Sequence, residues 1–298
     1  MPTFAATMNP FFQDYTTAYG TIPFGKLKNE HYVPAIHQGI TDAKAEIDAI
    51  VHTNDTPTFE NVIVALENSG ALLTKVTSAF FNLNSAETSD EMQEIAQEIS
   101  PLLSAHGNDI AMNAGLFAKV KEVFDQGFDG LTPEQKTLLE NAYKGFTRNG
   151  ANLNDTDKEK LREIDARKAK LSLIFGERVL KESNAFEMLI TDENDLDGLP
   201  EGIREAAQGM ATAKEKGGWL FTLDYPSYIP FVTYSTRREL REKMYKAFSS
   251  KAFQSNENNN EEIIQEIVQL RSERAKLLGF ESHADYVLAE RMAKSPTT

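Results

Sequence analysis

Thr132-Pro133-Glu134-Gln135-Lys136-Thr137-Leu138-Leu139-Glu140-Asn141-Ala142-Tyr143-Lys144-Gly145-Phe146-Thr147-Arg148-Asn149-Gly150 is a helix written out with both of its ends. Thr132 can accept a free backbone N–H of the first turn. Pro133 sits where a missing N–H does no harm, and Gln135 can reach back to the cap. Asn149-Gly150 supplies the backbone freedom that closes a helix. This stretch sets the fold class, because the same grammar repeats on both sides of it.

Downstream, Thr156-Asp157-Lys158-Glu159 opens a second helix carrying Leu161, Ile164, Leu171, Phe175 and Val179. Upstream, one helix is expected from about Glu30 to Val51, on Ile36, Ile40, Ile47 and Ile50, ended by Asn54-Asp55-Thr56-Pro57. A long helix is expected from about Phe59 to Leu83, with Val62, Leu66, Leu73, Val76 and Phe80 near one face. Thr88-Ser89-Asp90-Glu91 fits a capping box built on Thr88, and Gln126 to Gly130 reads as a loop. Two short alternations, Phe186/Met188/Ile190 and Trp219/Phe221/Leu223, predict strands that pair as an antiparallel ribbon. Between them lie an acidic turn, Asp192 to Gly198, and a helix from about Pro200 to Lys216 stopped by Gly217-Gly218. Thr236-Arg237-Arg238-Glu239 opens a basic helix to about Phe253, and Gln254 to Asn260 is a polar loop. Ile263, Ile264, Ile267, Val268 and Leu278 mark a helix ended by Gly279, and Ser282 caps the last one. The expected fold class is all-α with one small antiparallel β ribbon.

The chain of 298 residues carries 31 basic and 45 acidic side chains, a net charge of −14. That field repels phosphate backbones, so nucleic acid is not an expected partner. There are no cysteines, which removes disulfides, thiol nucleophiles and thiolate metal sites. No run approaches the roughly 18 apolar residues that span a bilayer, and residues 1–20 lack a signal-peptide pattern. A cytoplasmic location without membrane attachment is the expectation.

No residue type is assembled in the sequence as a catalytic or metal site. The five histidines, His31, His37, His52, His106 and His283, each lack a second histidine three or four positions away. His-Glu-x-x-His, which puts two imidazoles on one helix face with a glutamate to activate metal-bound water, is absent. Ser104 and His106 stand two apart and do not face each other on a helix. The pairs Asp90-Glu91 and Glu261-Glu262 sit at helix starts, where they complement the dipole. Gly217-Gly218 belongs to no phosphate loop. Arg237, Arg238, Arg241, Lys243 and Lys246 cluster, and Arg237 and Arg241 share a helix face. Either they bind a carboxylate such as a peptide C-terminus, or they pair with the chain's own acids. His31 and Tyr32 either pack a helix start or touch a peptide. Trp219, the sole tryptophan, is expected in the core.

One set of motifs carries a resemblance. Asn9-Pro10-Phe11-Phe12 leads into Tyr19-Gly20-Thr21-Ile22-Pro23-Phe24 and Glu30-His31-Tyr32-Val33-Pro34-Ala35-Ile36. Pro57-Thr58-Phe59-Glu60-Asn61 and Ala65-Leu66-Glu67-Asn68-Ser69-Gly70 follow, with Leu72 to Phe81 behind them. Asn108-Asp109-Ile110, Leu116 to Val120, Thr236 to Glu242, Leu277 to Phe280 and Arg291 to Pro296 extend the series. In this order the motifs resemble the thimet oligopeptidase family of zinc metallopeptidases, nearer its dipeptidyl carboxypeptidase branch than its endopeptidases. The resemblance implies the N-terminal lobe of a mostly helical, two-lobed fold with a channel between lobes. Residues 1–298 are then the N-terminal helical region of a larger peptidase, with the C-terminal catalytic zinc region outside this chain. The whole enzyme is expected to release dipeptides from the C-termini of short peptides through a zinc-activated water.

No catalytic, cofactor-binding or metal residue carries over to this chain, which is expected to be inactive alone. Its partners are expected to be short peptides and the missing catalytic half, with zinc in the parent. The alternative is a freestanding helical protein that binds peptides or serves as a scaffold. A lone lobe is further expected to expose an apolar face or to cover it by self-association.

Overall fold

The computed structural model describes residues 9–298, and these divide into two compact units. The larger holds the residues up to Lys170 together with Gln269–Thr298; the smaller holds Leu171–Val268.

The larger unit is built from helices with local stop signals. Helix α1 (Tyr32–His52) follows a 3₁₀ turn at Asn29–His31. The long helix expected over residues 59–83 is broken. A π-helical turn, Phe59–Val64, runs into a short α2 (Ala65–Asn68), and α3 (Ala71–Ala86) starts afresh after Gly70. Gly70 takes φ +69°, and its N–H donates to the Glu46 carboxylate of α1 at 2.7 Å. The break is therefore set by a distant carboxylate and lies outside local periodicity. Helix α1 crosses α3 closely at Gly39, where an added Cβ would lie 2.9 Å from the Leu73 backbone.

Helix α4 (Asp90–Ala111) is capped by Ser89, whose hydroxyl accepts the Met92 N–H at 3.2 Å. The expected Thr88 cap is wrong, because the Thr88 hydroxyl donates instead to the Asn84 side chain at 2.8 Å. Helices α5 (Ala114–Asp125) and α6 (Pro133–Thr147) follow, and α6 has the Thr132/Gln135 capping box read from sequence. Their core joins Ile47, Ile50, Phe59, Val62, Ile63, Leu116, Val120, Leu139 and Phe146. Helix α7 (Asp155–Ala185) starts one residue earlier than expected, because Asn154 accepts the Asp157 N–H.

In the smaller unit β1 (Met188–Ile190) pairs antiparallel with β2 (Trp219–Phe221), in register Met188↔Phe221 and Ile190↔Trp219. The ribbon expected from alternation is thus present. Helix α8 (Glu201–Ala213) packs against β2. Helix α9 (Tyr225–Tyr234) was not foreseen. Its aromatics bury Tyr228 and Phe231 but expose Tyr225, Ile229 and Tyr234, so no single apolar stripe announces it. Pro226 stands at its start, where proline is tolerated.

Helix α10 (Arg238–Ser249) follows, but Thr236 does not cap it. The Thr236 hydroxyl donates to the Asp197 carboxylate at 2.7 Å, tying the helix start to the acidic turn. The polar loop after α10 is strapped down: Asn256 and Asn258 donate to Glu182 at 2.9 and 3.0 Å, and Asn260, 1% exposed, donates to the Phe175 carbonyl. Helix α11 (Glu261–Leu277) ends before Gly279 at φ +85°, and Ser282 caps α12 (His283–Leu288) as expected. On α11 only part of the expected apolar face is covered, since Ile263 is buried while Ile264 and Val268 are exposed. No helix among the described residues is long and apolar enough to cross a membrane.

Candidate functional site

The residues singled out in the sequence fall at separate places. His31 and Tyr32 belong to the packing of α1. The Asn9 side chain donates to the His31 carbonyl at 2.9 Å and accepts the Phe11 N–H at 3.1 Å. Tyr32, 2% exposed, meets the Phe11 ring at 5.6 Å and the Phe80 ring at 5.1 Å. The opening motif is therefore a clamp on the start of α1, with Tyr32 packed in its core. His37 is exposed, and the exposed His52 is hydrogen-bonded by its ring to the Asp48 carbonyl within its own helix. Asp90-Glu91 and Glu261-Glu262 lie in first helical turns, as their dipole role requires. Among the described residues no group of three or more histidine, cysteine, aspartate or glutamate side chains could hold a metal ion.

The basic cluster is divided. Arg237 pairs with Asp195 at 3.0 Å, and the Arg241 guanidinium donates to the Ser235 carbonyl. So Arg237 takes the self-pairing alternative. Arg238 and Arg241, with Glu242, Tyr245 and Val232, line an open cleft of about 370 Å³ on α10. The spacing 238, 241, 242, 245 is one helix face, and it offers two guanidiniums beside a phenol and an apolar wall. That is suitable chemistry for a peptide carboxylate. The sequence groups Arg237, Arg238 and Arg241 and sets Arg237 on one helix face with Arg241; in the structure Asp195 takes Arg237, and it is Arg238 that lines the cleft with Arg241. Trp219 is half-buried against the core of the smaller unit. Gly217-Gly218 does not stop α8, which ends at Ala213 with Glu215 at φ +55° turning the chain; Gly218 instead lies close to the Ile190 carbonyl of β1.

His106 is the one histidine in the core, 6% exposed, and Ser104 is not among the residues that line its cavity. It lines a cavity of about 200 Å³ with Lys44, Ile47, Asp48, Asp109, Ile110 and Asn113. Its Nδ1 is buried without a hydrogen-bond partner. Burial first, then the Lys44 charge, pushes the His106 imidazolium below the ordinary histidine range; Asp109 opposes this and loses. Burial also works against the charge on Asp109, but Lys44 at 3.1 Å and Arg162 at 2.8 Å outweigh it and hold that carboxyl low.

The His106 shift has a sign. Above about pH 6.5 the imidazole is neutral folded or unfolded, and the full stability is present. Below that value the unfolded chain takes up a proton that the folded chain refuses, so stability falls with pH until the lower folded value is passed. His283 is depressed as well, by burial and by the charges of Arg271, Lys168 and Arg274, and adds in the same direction. We expect the melting temperature to fall from pH 7 to pH 5 and the slope to shrink in His106→Asn. An equal slope in the variant shows that His106 does not carry the effect.

Comparison with known proteins places these features in a lineage. A family model described as peptidase family M3 matches residues 231–298. The chain is 36% identical over 294 residues to the dipeptidyl carboxypeptidase of Escherichia coli, covering 97% of this chain and 43% of that protein. It is 34% identical over 285 residues to oligopeptidase A of Salmonella typhimurium, covering 94% of this chain and 42% of that protein. A thimet-like oligopeptidase of Dictyostelium discoideum is 27% identical over 243 residues. The chain spans about two fifths of the length of the curated relatives it matches.

Proposed function

Because the chain belongs to peptidase family M3, the thimet oligopeptidase family, we propose that it is the N-terminal, channel-wall part of a zinc-dependent dipeptidyl carboxypeptidase. The observation that carries this reading is similarity along 94–97% of the chain to dipeptidyl carboxypeptidase and oligopeptidase A. The slightly higher identity to the former, with the opening motifs, supports the choice of branch. Residues 1–298 then act as one N-terminal region whose two units supply helical wall to a peptide channel. The catalytic zinc and its activated water belong to the length of the relatives that this chain does not cover.

This division leaves the present chain without catalytic or metal residues. Its task is to admit short, unfolded peptides and exclude folded ones. The cleft lined by Arg238, Arg241 and Tyr245 is the place on it best suited to touch a peptide's carboxylates. A cytoplasmic location goes with this reading.

The test uses the purified chain, its zinc content and a blocked short peptide. The expected result is no stoichiometric zinc and no release of dipeptides. One zinc per chain, with hydrolysis abolished by a chelator, would falsify the assignment of catalysis to another region. Reading the coding frame past Thr298 separates the alternative. Several hundred further residues through His-Glu-x-x-His support the peptidase; a stop codon there, with short peptides bound by the chain, supports a freestanding peptide-binding protein.

A further inference from the structure

We propose that the groove between α1 and the π-helical turn leading into α2, in the larger unit, binds the side chain of a lysine in a partner peptide. The groove encloses about 500 Å³, within the roughly 300–1,000 Å³ usual for ligand sites. Glu46, Ala49 and Ile50, on one face of α1, form one wall. Ala65 faces them from the start of α2. The opposite wall begins in the π turn Phe59–Val64, a distortion of the helix that is frequent at functional sites. The middle of the groove is thus apolar, and its polar groups stand at the two ends.

Glu46 selects the ligand. One of its oxygens accepts the Gly70 N–H at 2.7 Å, and no cation pairs with it among the described residues. Asn68 and Ser69, just before Gly70 in the chain, line the same end of the groove. The Ser69 hydroxyl donates to the Leu66 carbonyl at 2.7 Å and keeps its own lone pairs, and the Asn68 amide oxygen accepts nothing among the described residues. This end therefore offers acceptors to an ammonium, which carries three N–H donors. A guanidinium fits less well, because its fork takes two carboxylate oxygens and Gly70 already holds one. At the other end the Lys119 ammonium donates to the Thr53 carbonyl at 2.9 Å, and Asn61 is spent on the turn at Thr56–Thr58. A ligand cation is thus favoured at the Glu46 end, roughly 10 Å from Thr53 along the helix axis. The four-carbon stem of lysine then lies against Ala49, Ile50 and Ala65. None of this rests on the peptidase reading, since the groove and its charge belong to this chain alone.

The experiment titrates Nα-acetyl-lysine methylamide into the whole chain at fixed ionic strength and follows the Ala49 and Ala65 methyl signals by NMR. The norleucine analogue, with the same stem and no charge, and the arginine analogue are the comparison arms. The lysine analogue should shift both methyls saturably, norleucine should not, and arginine should bind more weakly. Glu46→Gln should cut the lysine affinity about fivefold, the upper range for a solvent-exposed ion pair. The glutamine oxygen can still accept the Gly70 N–H, so that variant should fold, which far-UV circular dichroism checks. Ala49→Leu, at an exposed position, fills the groove without touching that bond and should abolish the binding. Norleucine shifts equal to those of lysine, arginine binding as tightly, or no saturation with lysine each overturn the proposal. So does full lysine affinity in either variant.

Discussion

Phe80→Ala is expected to destabilise the larger unit by roughly 3–5 kcal/mol, the usual range for truncating a fully buried phenylalanine. The Phe80 ring is 0% exposed. It meets Tyr32 edge-on at 5.1 Å and Phe81 edge-on at 5.1 Å, while Tyr32 continues to Phe11. The side chain therefore joins the opening motif, α1 and α3 in one aromatic contact. The cavity left behind cannot close easily. Gly39 already lets α1 approach the Leu73 backbone to the limit, so the two helices have no slack with which to collapse. Urea unfolding followed by far-UV circular dichroism should show an earlier transition, and the milder Phe80→Leu should recover much of the loss. A midpoint unchanged in Phe80→Ala would mean that the aromatic contact does not hold the opening motif in place.

How far the sequence could be read depended on where the deciding partner lay. Helix α6 was legible because Thr132, Gln135 and Gly150 act within its own turns. Ser282 before α12 was legible for the same reason. The break at Gly70 was not, because the group that satisfies its N–H is Glu46, twenty-four residues away. Thr236, in the stretch that opens the basic helix, is bonded to Asp197, thirty-nine residues away. Helix α9 is absent from the sequence reading for a different reason: it exposes Tyr225, Ile229 and Tyr234 and buries only Tyr228 and Phe231, so periodicity has nothing to detect. The ribbon was found because period-2 alternation survives even in strands of three residues.

The same distinction governs function. Motif order placed the chain in its family, since order along a chain needs no geometry. The candidate carboxylate cleft needed the fold, because only the fold shows Asp195 taking Arg237 and leaving Arg238 beside Arg241. Exposed large apolar side chains lie largely in the smaller unit, among them Tyr225, Ile229, Tyr234, Tyr245, Phe253, Ile264 and Val268. Three of these are on α9, whose existence was not read from sequence, and Tyr245 lines the Arg238/Arg241 cleft. All but Tyr225 and Ile229 lie within the span matched by the family model, residues 231–298.

Gly218→Ala is expected to destabilise the smaller unit by about 3 kcal/mol, from backbone strain and collision together. Gly218 takes φ +95°, which an L side chain rarely adopts. An added Cβ would sit 2.3 Å from the Ile190 carbonyl oxygen, and that oxygen belongs to the strand paired with Trp219. Main chain, unlike the end of a flexible side chain, can move only by shifting the ribbon itself. The ribbon supplies Met188, Ile190 and Phe221 to a core shared with Leu196, Phe231 and Met244, so the damage should spread to α9 and α10. Trp219 is the only tryptophan and is the next residue along, which makes its fluorescence a local reporter of this unit. Its unfolding transition should move to lower denaturant in Gly218→Ala. Gly217→Ala, where an added Cβ meets nothing within 4 Å, should leave it close to the parent. If Gly218→Ala and Gly217→Ala unfold alike, the close approach of Gly218 to Ile190 is not what sets the ribbon's geometry.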